Sequence, residues 1–160
     1  MSEASATASK PPYVPRWLVR TIWIVHRAVY SITGGRVGLR PSTDAQWGML
    51  RLTSKGRRSG KTRVAIVGYL VDGPNVVVPA MNGWADPEPA WWLNLQANPH
   101  TTVELPDGSS RAVTARAARG DERQRLWAKF LALGSSAFSD ATAATRSRET
   151  AIVVLEPRPD

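Results

Sequence analysis

The sequence contains no cysteine and only two histidines, His26 and His100, which lie far apart along the chain. Without cysteine there is no disulfide, no thiolate nucleophile and no zinc or iron–sulfur site with cysteine ligands. Two distant histidines argue against a histidine-based metal site and against a Ser-His-Asp triad. These absences exclude most chemistry in which the protein's own side chains hold a metal or act as a thiol.

Lysine and arginine are missing from residues 64–110, although the whole chain has a formal net charge of +8. Residues 1–63 contain 12 basic and 2 acidic side chains, whereas residues 64–110 contain 5 acidic ones. A basic protein can bind nucleic acid, an acidic membrane surface or an anionic ligand. Because the positive charge is concentrated in one part of the chain, we expect a localised binding site.

Length and composition indicate one globular domain. The 160 residues are 42% hydrophobic and 21% charged, which is too short for two ordinary domains and too apolar for a disordered chain. Residues 1–14 are rich in Ser, Ala, Thr and Pro and lack the hydrophobic segment of a signal peptide. We therefore predict a flexible tail over residues 1–14 and a single domain over residues 15–160.

The segment Pro15–Ser31 is predicted to be an amphipathic helix. At 100° per residue, Arg16, Arg20 and Arg27 fall within about 40° of one another, opposite an apolar face. The segment is shorter than the roughly 20 apolar residues of a membrane span. It is either an ordinary helix that caps a core or an interfacial helix whose arginines face anionic lipid.

Alternating apolar residues and turn sequences predict six strands and two helices in the rest of the chain. The predicted strands are Gln46–Thr53, Arg63–Val71, Asn75–Ala80, Thr101–Leu105, Ser109–Ala117 and Thr150–Leu155, and the predicted helices are Pro87–Ala97 and Asp121–Leu133. Helical spacing points seven apolar side chains toward the core, namely Trp91, Trp92, Leu95, Leu126, Trp127, Phe130 and Leu131. Because the strands follow one another in hairpins, we predict an α+β fold built on a mainly antiparallel barrel.

The segment Lys55–Arg63 is the sharpest local feature. It lies between two predicted strands, and the stretch from Arg51 to Arg63 contains six basic residues and no acidic one. Gly56 and Gly60 allow tight turning, so that backbone N–H groups and guanidinium groups can converge on a phosphate. The alternatives are a solvated basic hairpin loop and a nucleic-acid contact. Nucleic acid is disfavoured because the charge is confined to one loop without interleaved aromatic residues.

A second feature follows the third predicted strand. Three of the seven tryptophans, Trp84, Trp91 and Trp92, lie within nine residues, close to the segment Pro79–Asn82. A group of tryptophan side chains such as this one suits a planar aromatic ligand, with Asn82 or backbone groups supplying hydrogen bonds. Tryptophans on a short helix are more often part of a core, and that alternative stays open here.

Together, Lys55–Arg63, the run Trp91–Pro99 and the segment Ile152–Pro157 resemble the deazaflavin-dependent nitroreductase family over about residues 44–157. Members of that family are coenzyme F420-dependent quinone and nitro-compound reductases of actinobacteria. The resemblance implies a split β-barrel and an oxidoreductase. Its reaction would be hydride transfer from reduced coenzyme F420 to a quinone-like, nitro or other activated unsaturated small molecule. FMN is the alternative cofactor, and no metal is implied.

The resemblance also implies a coenzyme site. The basic loop would hold the phosphate and glutamate tail, Pro79–Asn82 would run beside the deazaflavin ring, and Ala90–Asn94 would close its other side. The residues implied to bind the coenzyme are Lys55, Arg57, Arg58, Ser59, Gly60, Lys61, Thr62, Arg63, Pro79, Ala80, Met81, Asn82, Ala90, Trp91, Trp92 and Asn94. Asn82 stands where relatives often have lysine.

The implied substrate pocket includes Phe138, Ser139 and Thr142, in a region where some relatives have several tyrosines and this sequence has none. Water, Ser139 or Thr142 could supply a proton to the acceptor. The missing tyrosines leave open a non-catalytic protein that binds a lipid or the coenzyme on the same barrel. We expect a cytoplasmic protein with a small-molecule acceptor and no nucleic-acid partner. Peripheral contact of residues 15–31 with the inner face of the membrane is the remaining alternative.

Overall fold

The computed structural model describes residues 38–81, 87–133 and 149–159. Its six strands and two helices are β1 (Gly48–Lys55), β2 (Thr62–Asp72), β3 (Asn75–Pro79), α1 (Ala90–Ala97), β4 (His100–Glu104), β5 (Ser110–Ala117), α2 (Gly120–Leu133) and β6 (Ile152–Pro157). The predicted tail, residues 1–14, and the predicted helix Pro15–Ser31 lie outside the described residues and stay predictions. Within the described ranges no helix is long and apolar enough to cross a bilayer.

The six strands form a closed barrel in the order β1-β2-β3-β6-β5-β4, and each neighbouring pair is antiparallel. Hairpins join β1 to β2, β2 to β3 and β4 to β5. Closure depends on pairs that are distant in sequence, such as Val76 with Leu155 and Arg51 with Glu104. The predicted α+β split barrel of about six antiparallel strands is therefore confirmed.

Burial along the strands follows from which faces are covered. In β1 the inward Leu50 and Leu52 are fully buried, while the side chains between them are half-buried. This is the alternation expected when one face meets the core. By contrast, β3 and β6 are buried at four consecutive residues, since one face lines the barrel and the other packs under α2. Their continuous apolar runs thus reflect burial on both faces.

Helix α2 covers the outer face of the barrel. Its Leu126 and Phe130 are fully buried and pack with Leu70, Val77 and Val154. Full burial of a side chain of this size contributes roughly 2–3 kcal/mol. The other two α2 positions predicted to be buried, Trp127 and Leu131, are half-buried.

Ion pairs hold the first turn of α2 against the barrel. Arg116, near the end of β5, donates two hydrogen bonds to the Glu122 carboxylate at 2.7 and 2.8 Å and one to Glu156 at 2.7 Å. These hydrogen bonds lower the pKa of Glu122. The bidentate geometry fixes the orientation of α2 as it leaves the sheet.

The largest error in the predicted boundaries lies at α1, which begins at Ala90 instead of Pro87. Pro89 has an extended backbone, with φ −65° and ψ 140°, and Glu88 before it is kept out of the helical region by the proline ring. The helix can therefore begin only after Pro89. The strand boundaries differ from the predictions by at most two residues, because ladder pairing and not side-chain pattern decides where a strand ends.

A cluster of charges ties the β2–β3 hairpin to α2. Asp72, at the end of β2, accepts two hydrogen bonds of 2.8 Å from Arg125 and a further one from Lys129. The hydrogen bonds from Arg125, and then that from Lys129, hold the pKa of Asp72 well below its usual range. The carboxylate at the tip of the hairpin is thus more stable in its charged form when the protein is folded.

We predict that Asp72→Asn lowers the free energy of unfolding by about 1 kcal/mol at pH 7, since a neutral amide cannot replace a carboxylate shared by two cations. The pKa of Asp72 is lower in the folded state than in the unfolded state. Its stabilisation is therefore present above the unfolded pKa, about 4, and is lost as the pH falls toward the folded value. Urea unfolding at pH 7 and pH 3 should show a smaller difference between wild type and variant at pH 3.

The matched control is Asp44→Asn, which neutralises an exposed carboxylate and should leave the unfolding free energy nearly unchanged at both pH values. An Asp72→Asn difference of the same size at pH 7 and pH 3 would contradict the role of the Asp72 charge.

Candidate functional site

The basic segment Lys55–Arg63 and the segment after β3 lie at the same end of the barrel. Lys55 at the end of β1 pairs with Thr62 at the start of β2, and residues 56–61 connect them. Because all neighbours are antiparallel, the ends of β1, β3 and β5 meet the starts of β2, β4 and β6 at this same end. Pro79 pairs there with Ile152. We call this the loop end of the barrel.

The basic loop, residues 56–61, is closed by its own backbone. The N–H of Gly56 donates to the Lys61 carbonyl at 2.8 Å, and the N–H of Gly60 donates to the Gly56 carbonyl at 2.8 Å. Gly60 has a φ of +65°, and a Cβ at Gly56 would lie 2.9 Å from Ser59 Oγ and 3.1 Å from the Lys61 carbonyl oxygen. The geometry of the turn thus favours glycine at both positions, at Gly60 because of its dihedral angle and at Gly56 because space is tight.

Five exposed cations surround this loop, namely Lys55, Arg57, Arg58, Lys61 and Arg63. No carboxylate in the described part of the chain lies within 4 Å of any of them. The sixth basic residue of the stretch, Arg51, belongs to the barrel wall, where it pairs with Glu104 at 2.9 Å. Within the described residues, the loop end therefore has five positive charges without a carboxylate partner, an arrangement suited to a polyanionic ligand.

Helix α1 is joined to the basic loop through Asn94. Its Oδ1 accepts a hydrogen bond from the Arg57 backbone N–H at 3.1 Å, and its Nδ2 donates to Ser54 Oγ at 3.3 Å. Both Asn94 and Ser54 are only 4% exposed. These two bonds connect the basic loop to the helix that contains Trp91 and Trp92.

The tryptophans of α1 belong to the barrel core. Trp91 and Trp92 are 8% and 5% exposed and pack with the inward-facing residues of the strands, while Ala90 is exposed. The indole N–H of Trp92 is buried, and no residue in the described ranges accepts a hydrogen bond from it. A buried donor of this kind is costly unless an acceptor is supplied. An oxygen atom of a bound ligand would provide one.

The segment after β3 lies at the same end. Pro79 and Ala80 are buried, Met81 is half-buried, and the N–H of Ala80 donates to the carbonyl of Ala151 at 2.8 Å. The strand therefore continues for one residue beyond β3 beside the start of β6. Of the remaining predicted site residues, Asn82, Phe138, Ser139 and Thr142 lie outside the described residues.

Ser54 was not indicated by any motif, yet it anchors Asn94. The signal was present in the periodicity of β1, where Leu50 and Leu52 point inward and Ser54 is the next inward position. A polar residue that continues an apolar alternation needs a buried hydrogen-bonding partner. The periodicity did not identify Asn94 as that partner.

The chemistry available at the loop end is anion binding beside an apolar surface. Within the described ranges no group of three or more His, Cys, Asp or Glu side chains could hold a metal ion. Exposed cations, a fixed turn and a buried indole donor fit a ligand that has both a polyanionic part and an aromatic part with acceptor oxygens.

Sequence comparison places the chain among redox proteins. Residues 23–157 match the family model described as F420H(2)-dependent quinone reductase. An F420H(2)-dependent quinone reductase of Mycobacterium tuberculosis is 30% identical over 153 residues, which cover 91% of this chain and 99% of that protein. A second protein of that organism is 34% identical over 109 residues, covering 68% of this chain and 89% of its own length.

Comparison with solved structures agrees on the fold. An F420-H2-dependent reductase has a TM-score of 0.58 at 23% identity, covering 68% of this chain and 93% of that one. A chain described as a domain-swapped dimer has a TM-score of 0.61 at 22% identity, covering 86% of this chain and 99% of that one. At these identities the likeness is one of fold.

We predict that Gly60→Ala lowers the free energy of unfolding of the ligand-free protein by about 1 kcal/mol, because a side chain at positive φ is strained even in open space. Gly60→Asn should cost less, since asparagine tolerates the left-handed region. Urea unfolding of both variants measures the difference. Equal losses for the two variants would show that the positive φ does not matter.

Proposed function

Because the chain belongs to the F420H(2)-dependent quinone reductase family, we propose that it binds coenzyme F420 at the loop end of its barrel. As a member of that family it is an oxidoreductase. Its reaction is hydride transfer from reduced coenzyme F420 to a quinone-like acceptor. The observation that supports the proposed site most directly is the set of five cations that have no carboxylate partner among residues 38–81, 87–133 and 149–159.

The anionic tail of the coenzyme would lie on the basic loop. Its phosphate and carboxylate groups need several positive charges, and arginine forks bind such groups bidentately. Arg58 and Arg63, which the family resemblance implies as ligands of the phosphate, lie on the loop and at the start of β2 and are exposed. Lys55, Arg57 and Lys61 add charge around them, while Ser59 and Thr62 add hydroxyl groups.

The ring of the coenzyme would lie between Pro79–Asn82 and the start of α1. Ala80 and Trp91 present buried, apolar surroundings, which suit a planar ring and exclude water from it. Trp92 has a buried indole N–H with no acceptor in the described part of the chain, and the ring carbonyl oxygens of a deazaflavin are suitable acceptors. The residues present therefore fit the coenzyme.

When bound, the reduced coenzyme supplies the hydride, so the protein needs no redox group of its own. The chain's contribution is to bind the tail, leave one ring face accessible and exclude water while the acceptor is held close to it. This division of labour agrees with a sequence that has no cysteine and two histidines. The acceptor itself is proposed to lie beside Phe138, Ser139 and Thr142.

We predict that the protein oxidises reduced coenzyme F420 when a quinone such as menadione is added. The reaction is followed by the return of the absorbance of the oxidised coenzyme, beside a parallel titration with FMN. Nitro compounds, as acceptors of the same electron-poor kind, belong in the same panel. Failure of the coenzyme to bind at micromolar concentration would overturn the proposed function.

Binding without turnover across a broad acceptor panel would instead favour a coenzyme- or lipid-binding protein on the same barrel.

Charge reversal on the basic loop should weaken coenzyme binding. We predict that Arg58→Glu and Arg63→Glu each raise the Kd at least tenfold, because each replaces a charge-assisted hydrogen bond with repulsion. Titration of the oxidised coenzyme by fluorescence measures the Kd. Arg111→Glu is the matched control, since Arg111 is an exposed arginine at the start of β5, at the opposite end of the barrel.

If Arg58→Glu and Arg63→Glu both bound the coenzyme like the wild type, the tail would have to lie elsewhere. Arg111→Glu should leave the Kd within about twofold of the wild-type value.

Peripheral contact between residues 15–31 and the inner face of the membrane is proposed on the sequence pattern alone. Those residues lie outside the described ranges, and the contact stays a prediction.

A further inference from the structure

Asn94 is a buried polar side chain whose amide oxygen and amide nitrogen both form hydrogen bonds. Its Oδ1 accepts the Arg57 backbone N–H at 3.1 Å, and its Nδ2 donates to Ser54 Oγ at 3.3 Å. Since Asn94 and Ser54 are each 4% exposed, neither side chain has water as an alternative partner. The orientation of the amide is therefore set by β1 on one side and the basic loop on the other.

The other hydrogen bonds of the basic loop are internal to it. They join Gly56 to Lys61, Gly60 to Gly56, and the Lys61 N–H to Ser59 Oγ at 3.4 Å. Among the hydrogen bonds that the described residues 56–61 form, the bond from Arg57 to Asn94 is the one that reaches a different element. Among the described residues, the hydrogen-bonded link between the loop and α1 thus runs through a single side chain.

Binding of one ligand by both the loop and α1 requires that their separation be set in advance. Five like charges on and beside the loop repel one another, and a loop free to move would have to be ordered when the ligand binds. Asn94 reduces that ordering, because it fastens the backbone between Gly56 and Arg58 to the helix that contains Ala90 and Trp91.

We propose that Asn94, with Ser54 as its anchor, is a positioning residue for the coenzyme: it holds the basic loop at the distance from α1 at which tail and ring are bound together. The Arg57 N–H is engaged by Asn94 and is therefore not a ligand of the phosphate. The proposal rests on the proposed coenzyme site. In this proposal Asn94 affects coenzyme binding by holding the loop in place and does not itself contact the ring.

The test is Asn94→Leu, which nearly preserves the shape of the side chain and removes both hydrogen bonds. In the ligand-free protein, the Arg57 amide should exchange with solvent faster while the core strands keep their protection. The Kd for oxidised coenzyme F420 should rise on the order of tenfold, the size expected for loss of a buried hydrogen bond. At saturating coenzyme, kcat should change by less than about twofold.

Two further variants separate positioning from folding. Asn94→Asp keeps an acceptor for the Arg57 N–H and offers a second oxygen to the Ser54 hydroxyl, so it should restore slow exchange of the Arg57 amide. Ser54→Ala removes only the anchor and should change exchange and Kd in the same direction by a smaller factor. It also provides the test if Asn94→Leu does not fold.

Gln96→Leu is the matched control, because it replaces an exposed amide on the same helix and should alter neither exchange at Arg57 nor the Kd. Unchanged exchange of the Arg57 amide in Asn94→Leu would overturn the proposal, as would an unchanged Kd. A fall in kcat at an unchanged Kd would also overturn it, since that result places Asn94 at the ring.

Failure of the proposed function gives a different result. The wild type would then not bind the coenzyme, while Asn94→Leu would still speed exchange at Arg57. In that case Asn94 would fasten the loop to β1 and α1 for structural reasons only, and it would have no role in coenzyme binding.

Discussion

The antiparallel pairing of β3 with β6 closes the barrel, and the rest of the structure depends on it. It joins residues nearly 80 positions apart, such as Val76 and Leu155, so its formation carries the entropy cost of closing a long loop. Burial on both faces stabilises it, because the inner side chains line the barrel and the outer ones lie under α2. The hairpins bring the ends of β1 and β3 and the start of β2 to one end, and closure adds the start of β6 beside the end of β3.

Charge is distributed in two different ways over this frame. On the outside of the barrel, several carboxylates are paired with cations, in the Asp72 cluster, the Arg116 network and the pair between Arg51 and Glu104. These pairs fasten hairpins and α2 to the sheet. At the loop end the cations have no such partners in the part of the chain that the structure describes, although their mutual repulsion opposes a fixed loop. A bound anionic ligand would compensate this excess positive charge.

The sequence allowed most of the architecture to be predicted, and for identifiable reasons. Three features are set by neighbouring residues: the alternation in β1, the turn at Asp72 and Gly73, and the helical spacing of Leu126 and Phe130. Such local patterns predict secondary structure without knowledge of the tertiary fold. Pro89 also indicates where α1 begins, since the residue before a proline avoids the helical conformation, but the predicted start at Pro87 is three residues too early. The predicted loop residues are brought to one end of the barrel together with Asn94 and Pro79. The part of the site that includes Asn82 and Phe138 stays a prediction.

The sequence by itself determined which elements form and which segment holds the positive charge, because hydrophobic period, turn residues and charge are properties of neighbouring residues. It also contained the family resemblance that sequence comparison confirmed. Only the tertiary structure decided that Arg51 is neutralised by Glu104 and that Asn94 fastens the basic loop to β1 and α1. These contacts join residues 37 to 53 positions apart, and no local pattern encodes which buried polar groups meet once the barrel has closed.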